Sequence, residues 1–316
     1  MSPLNLSPLK GTKIPLNEFR KAAIFIAAFS FWFGQGSSLA LVTTKSEGYK
    51  EIISKAQNLV LQKERSQALD LLYYALKQEN PKGPAYKEIK KNMSSISRVF
   101  IFEKAQQAYE LAISMRKQDL TQSYKTLKDG LSHEKDNLNL LLALSRLEVS
   151  KSECAVGKET FQKIPKPLSI DEEVQLLEAQ LLFCGKENLE PSSISVADQP
   201  IIEMQNFQLS NSSLGLYWSL LELRKFEIQK NEQKIKEKLK TLDSLAARQH
   251  PDLLYWQWKI SKKTDPYRNQ LGHKYILSCQ SLSQRQSREY LIDPFLCQRV
   301  AEVEREMKKQ GALIEK

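Results

Sequence analysis

A striped helical hairpin at residues 47–81 constrains the fold of this chain more than any other feature. It contains two short segments with apolar residues at helical spacing, separated by a polar turn at residues 63–66 and stopped by Pro81. Each segment has one apolar face, and two such helices alone cannot bury both faces. The pattern therefore predicts that further helical hairpins pack against this one.

The spacing within the first hairpin returns further along the chain. Steps of twelve, four and three residues connect the corresponding positions in three segments. These positions are Ala56, Ala68, Leu72 and Ala75 in the first segment, Leu111, Ser123, Leu127 and Gly130 in the second, and Ser145, Gly157, Phe161 and Ile164 in the third. The second and third segments are thirty-four residues apart, and Ala179 lies thirty-four residues beyond Ser145. The first and second are fifty-five apart, so an inserted helix is expected at residues 86–102.

These positions, over about residues 49–184, resemble the tetratricopeptide repeat family, whose unit is a thirty-four-residue helical hairpin. Prolines at Pro81 and Pro165 add to the resemblance, whereas the family's early Trp and Leu-Gly pair are absent. Leu111 and Ile164 are bulky where the family has small residues. The resemblance implies an all-α fold, in which antiparallel hairpins stack as a right-handed solenoid with a concave binding face. In this chain that face would expose some of Lys50, Gln57, Ala112 and Arg116. An irregular α-helical bundle is the alternative.

The N-terminus has the three parts of a secretory signal. A basic region ends at Lys21, an apolar run of twelve fills residues 22–33, and small residues follow up to Ala40. The run is too short to cross a bilayer, so cleavage after Ala40 and a periplasmic or otherwise exported location are predicted. An uncleaved anchor is the alternative, if the apolar run extends through residues 39–42.

The four cysteines all follow the predicted cleavage site. An even number in an exported chain indicates two disulfides, and three pairings are possible. We favour Cys154 with Cys184 and Cys279 with Cys297, because each pair would join neighbouring helices. Buried free thiols are the alternative, and no CxxC or HxxxH spacing points to zinc.

The chain divides into four parts on these patterns: the signal at residues 1–40, the repeat-like hairpins at 41–186, a linker loop at 187–200 and a less regular helical region at 201–316. In the last region, Asp293 is predicted to cap the final helix, with Pro294 in its first turn.

Few patterns in the chain carry chemistry. The lysine-rich segment at residues 230–240 is interleaved with glutamates, and is typical of a solvated helix face. The aromatic group Tyr255, Trp256 and Trp258 is expected in the core. No nucleophile elbow, phosphate loop or metal motif occurs in the sequence, so no catalytic residue, metal or cofactor is predicted.

The net charge of +10 is modest, and no nucleic-acid partner or stable membrane insertion of the cleaved chain is expected. The sequence thus favours a non-enzymatic module of the periplasm or cell envelope that binds a protein or peptide. The alternative function is an envelope enzyme that acts on the cell-wall polymer through a carboxylate acid in the C-terminal half.

Overall fold

The computed structural model describes residues 48–116, 119–185, 214–242, 250–284 and 289–310. These ranges contain α-helices, one 3-10 helix and connecting turns, with no β-strand, so the all-α prediction is confirmed for them. The predicted signal at 1–40 and the predicted linker at 187–200 lie outside the described residues.

Helices that follow one another in sequence pack side by side. Those of the N-terminal part are α1 (Tyr49–Leu61), α2 (Arg65–Gln78), α3 (Pro84–Arg98), α4 (Glu103–Met115), α5 (Leu120–His133), α6 (Leu138–Ser150), α7 (Cys154–Phe161) and α8 (Glu172–Phe183), with the 3-10 helix Lys166–Ile170 before α8. Those of the C-terminal part are α9 (Gly215–Ile228), α10 (Glu232–Thr241), α11 (Pro251–Ile260), α12 (Pro266–Gln284), α13 (Glu289–Ile292) and α14 (Val300–Lys309). The hairpins α1–α2, α4–α5, α6–α7 and α11–α12 have the most extensive contacts.

The first hairpin forms as the sequence predicts. Ala56, Ala68 and Leu72 are completely buried, which allows α1 and α2 to approach closely. Lys63 follows α1 with a φ of 66°, the left-handed conformation that ends many helices. The inserted helix is α3, and residues 99–102 separate it from α4.

The repeat register is wrong at Leu111, which is exposed on α4, whereas Ala112 beside it is completely buried. Neighbouring helical residues point about 100° apart, so an error of one residue moves a side chain off the buried face. The Ser123 hydroxyl donates to the carbonyl of Ala112 at 2.8 Å. Ser145 makes the same contact to Gly157 at 2.8 Å, so a buried serine fixes the helix approach in both hairpins.

Two aspartates near helix starts behave differently. Asp171 accepts a hydrogen bond from the backbone N–H of Glu173 at 3.0 Å and caps α8. The prediction for Asp293 is wrong, because its carboxylate accepts from the N–H of Phe295 within a turn, and the last helix begins only at Val300.

The largest core cluster joins α8 to the C-terminal helices. It contains Leu176 of α8 together with Trp218 of α9 and the aromatic group of α11. Tyr255, Trp256 and Trp258 are each at most 2% exposed, so the prediction that they pack in the core is confirmed.

Candidate binding groove

A groove of about 870 Å³ opens where the C-terminal ends of α6, α8 and α9 meet α11 and the segment that leads into α14. We call it the charged groove, because six of its lining side chains carry a formal charge. They are Arg224, Glu227, Lys230, Lys259, Arg299 and Glu302. The other lining residues are Val149, Ser152, Phe183, Gly185, Ile228, Phe295 and Gln298.

An ion-pair network connects three helices along one wall of the groove. Lys259 of α11 pairs with Glu227 of α9 and lies 3.5 Å from a carboxylate oxygen of Glu302 in α14. Arg299 lies 3.6 Å from each of the two carboxylates. The Tyr255 hydroxyl lies 3.2 Å from a carboxylate oxygen of Glu227 and 3.3 Å from one of Glu302, so either can accept its one proton, and burial together with these carboxylates raises its pKa. The phenol therefore stays protonated and holds Glu227 and Glu302 close to each other.

Arg224 stands on the other side of the network. Its guanidinium lies 4.4 Å from the ring centre of Phe295 and donates to the carbonyl of that residue at 3.2 Å. Its nearest carboxylate oxygen, on Asp252, is 3.8 Å away. Burial and the neighbouring Asp293 raise the pKa of Asp252 to about 6, so Asp252 is a partner of Arg224 only above that pH.

The lining of the groove carries more positive than negative charge. Among the described residues, four cationic side chains face two carboxylates, and both carboxylates are already held by Lys259 and Arg299. Lys230 is exposed at the end of α9. The surplus makes the groove attractive to an acidic ligand.

Left-handed backbone residues are concentrated around the groove. Ser152, Lys230 and Gly185 line it with φ values of 62°, 53° and 68°, and Cys297 at 61° adjoins the lining residue Gln298. Each non-glycine residue in this conformation costs about 1–2 kcal/mol. Three of these residues follow helix ends, so the last carbonyl groups of α6, α8 and α9 lie near the groove.

Two disulfides brace the same region. The structure joins Cys154 to Cys184 and Cys279 to Cys297, the same pairs that the sequence favours. The first bond fixes the end of α8 beside the lining residue Gly185, and the second ties α12 to the segment that carries Arg299. Disulfides of this kind form in oxidising compartments, which agrees with an exported protein.

The residues that the repeat resemblance places near a concave face do not share one surface. Lys50 and Gln57 are exposed on α1, whereas Ala112 and Arg116 are buried. Two of the four are thus exposed and two are not, and α4 presents a different face from the one that the repeat spacing assigns to it. None of the four lines the charged groove.

Sequence reasoning missed the groove, since its charged residues come from α9, α11 and α14 and form no local motif. One sequence feature points weakly to the groove, because Lys259 directly follows the aromatic group of α11. In the structure, its amino group lies 2.8 Å from the Tyr255 hydroxyl. The histidines give no catalytic arrangement. His133 and His273 are exposed, and His250 is buried with its ring 6.2 Å from that of Tyr217.

Comparison of the chain with protein-family models, with curated proteins and with solved structures found no match. Among the described residues, no group of three or more histidine, cysteine, aspartate or glutamate side chains is placed to hold a metal ion. In the same ranges, no helix has both the length and the apolar character needed to span a bilayer.

Proposed function

We propose that this protein is an exported, non-enzymatic binding module that holds an acidic peptide segment of a partner protein in the charged groove. The observation that carries the proposal is the surplus of cationic side chains in an open groove of about 870 Å³. A groove of this size takes several residues of an extended chain. The binding surface is thus the charged groove, whereas the sequence favours a concave face of the N-terminal hairpins.

A peptide suits the groove better than other polyanions. The helix C-terminal ends at its rim carry partial negative charge, which repels the dense charge of a nucleic acid. Most of these carbonyl groups already accept from N–H groups of the following turn, and their second lone pair can accept from the N–H groups of an extended peptide. Glutamate or aspartate side chains of that peptide then pair with Arg224 and Lys230.

The proposal also includes a location in the cell envelope and a solenoid arrangement of the helices. We infer that the chain is cut after Ala40 and works in the periplasm or cell envelope, supported by the signal pattern and by the two disulfides. We also infer that its successive hairpins stack as a right-handed solenoid of the tetratricopeptide-like kind, supported by sequential helix packing and by the repeated serine contacts.

A charge reversal at Lys230 tests the binding proposal. Lys230 and Lys63 are both exposed lysines with a left-handed backbone after a helix, but only Lys230 lines the groove. Lys230→Glu should weaken the binding of a fluorescein-labelled, glutamate-rich peptide by about three- to tenfold. Lys63→Glu should leave the affinity within about twofold.

Equal loss of affinity in both variants would show a general charge effect and contradict the groove assignment. The groove assignment would also be contradicted if a lysine-rich peptide of equal length bound as tightly as the glutamate-rich peptide. Raising the salt concentration should weaken binding to the wild type, because both partners are exposed to solvent.

The second candidate is an envelope enzyme that cleaves the cell-wall polymer. It is favoured by Glu227 and Glu302, two carboxylates that approach each other across Tyr255 in the C-terminal half. Both are engaged in ion pairs, whereas a general acid must hold a proton for the leaving group. Release of polymer fragments by the purified protein, abolished by Glu302→Gln, would establish this function in place of the first.

A further inference from the structure

A second cavity, distinct from the charged groove, lies between α3, α4, α6 and α8 and is closed by α13. We call it the arginine cavity. Its volume is about 180 Å³. Arg98, Tyr109, Arg146 and Glu173 form its polar wall, and α6 and α13 contribute an apolar wall that includes Leu142.

The charged groups of the polar wall are incompletely paired. Asp171 accepts two hydrogen bonds from Arg98, at 2.8 and 2.9 Å. Glu173 is shared between Arg98 and Arg146, at 3.6 and 3.7 Å, which is beyond hydrogen-bonding distance. Arg146 is 3% exposed and lines the cavity, and its Nε–H has no hydrogen-bond partner among the described residues.

A third buried arginine stands beside this wall. Arg116 is 6% exposed, and within the described part of the chain its Nη1 has no hydrogen-bond partner. Burial and the charge of Arg146 lower the pKa of Arg116 to about 10, so it stays charged at neutral pH. Its charge also acts on Tyr109. Arg116 lies outside the cavity lining, but together with Arg98 and Arg146 it outnumbers Asp171 and Glu173, and a buried surplus charge of this kind is costly without an anion.

We propose that the arginine cavity binds a small organic carboxylate. A carboxylate supplies the missing negative charge and matches the planar donor fork of a guanidinium. The apolar wall takes a short aliphatic tail, which inorganic phosphate lacks. The small volume excludes a peptide. Access is at Arg98 and Glu173, whose side chains are each 23% exposed.

Thermal unfolding of the mature protein with butyrate, inorganic phosphate or chloride at equal ionic strength tests this site. Butyrate at about four times its dissociation constant should raise the Tm of the wild type by about 2–4 °C. Arg116→Met, which removes the surplus charge, should lose this shift. Arg305→Met, an exposed arginine on α14, should keep it.

Without ligand, Arg116→Met should be as stable as the wild type or more stable, because it removes a buried charge that lacks a partner. A purely structural arginine would instead lower the Tm when replaced. Should Arg116→Met fail to fold, Ala143→Val provides the second test, since it fills the cavity and leaves every charge in place. Calorimetric titration should then detect butyrate binding to the wild type and none to Ala143→Val.

Three results would overturn the proposal. The first is no shift with butyrate, and the second is a shift with phosphate in place of butyrate. The third is an equal shift with butyrate in the wild type and in the variant at Arg116 or Ala143.

Discussion

Arg65 connects the first hairpin to the helices that follow, and its replacement is the sharpest test of how they are held together. Its guanidinium is buried and donates to the backbone carbonyls of Ile96 and Val99 at the end of α3. It also pairs with Glu134 beyond α5, and with Asp136 at 2.9 Å. Arg65→Met keeps an unbranched apolar stem and removes all of these contacts.

The size of the stability loss depends on the Glu134 carboxylate, which the variant leaves buried without Arg65. The Glu134 side chain is 2% exposed and keeps donors from the N–H groups of Ile101 and Phe102 and from Asn137, at 3.0–3.2 Å. It nevertheless loses its only cation among the described residues. Removing one partner of a buried ion pair costs about 3–5 kcal/mol, so we expect Arg65→Met to lower the free energy of unfolding by that amount.

Urea denaturation followed by far-ultraviolet circular dichroism, with the disulfides intact, measures this loss. Adding Glu134→Gln to Arg65→Met should restore about 1–2 kcal/mol, because the remaining donors then face a neutral amide. The exposed control Arg305→Met should change stability by less than about 0.5 kcal/mol. A loss below about 1 kcal/mol for Arg65→Met, or no recovery in the double variant, would refute the reasoning.

Three further predictions concern packing, backbone conformation and pH. Gly130→Ala should cost about 1–3 kcal/mol in urea denaturation, because the added methyl would lie 2.8 Å from a methyl group of Leu140; a neutral effect would contradict this packing. Ser152→Gly should raise the Tm and add about 0.5–1 kcal/mol, because glycine relieves the left-handed strain; a lower Tm would contradict it. The pKa of Asp252 is raised to about 6, so the folded chain binds the carboxyl proton of Asp252 more tightly than the unfolded chain does. The stability that this proton contributes is therefore lost as the pH rises from about 4 to 6. Asp252→Asn should therefore gain about 2 kcal/mol relative to the wild type between pH 4 and pH 7, whereas a constant difference would count against the raised pKa.

Local features of the fold were predictable from the sequence, and features that depend on helix rotation were not. The stripes around Ala68 and Leu72 act within one or two turns of helix, so the sequence pattern predicts them directly. The exposure of Leu111 could not be predicted, because the repeat spacing does not distinguish an exposed Leu111 beside a buried Ala112 from the opposite arrangement. The Asp293–Pro294 pair did not decide between a turn and a helix start, because an aspartate before a proline occurs in both.

The charged groove could not be predicted because its geometry is set by tertiary packing. Glu227, Lys259 and Glu302 are far apart in sequence, and none of them belongs to a local motif. Only the packing of α9, α11 and α14 around Tyr255 brings them together. The cysteines were more informative, since their even number and neighbouring helices favoured the pairs that the structure contains.

A photocrosslinking residue at Gln298, introduced in the native host, tests the central claim most directly. Gln298 lies in the lining of the charged groove, and Arg305 is an exposed control position on α14. The account predicts one reproducible protein adduct from Gln298, joined through a segment rich in aspartate and glutamate and reduced by Lys230→Glu. Adducts equally abundant from Arg305, or adducts of cell-wall polymer in place of protein, would contradict it.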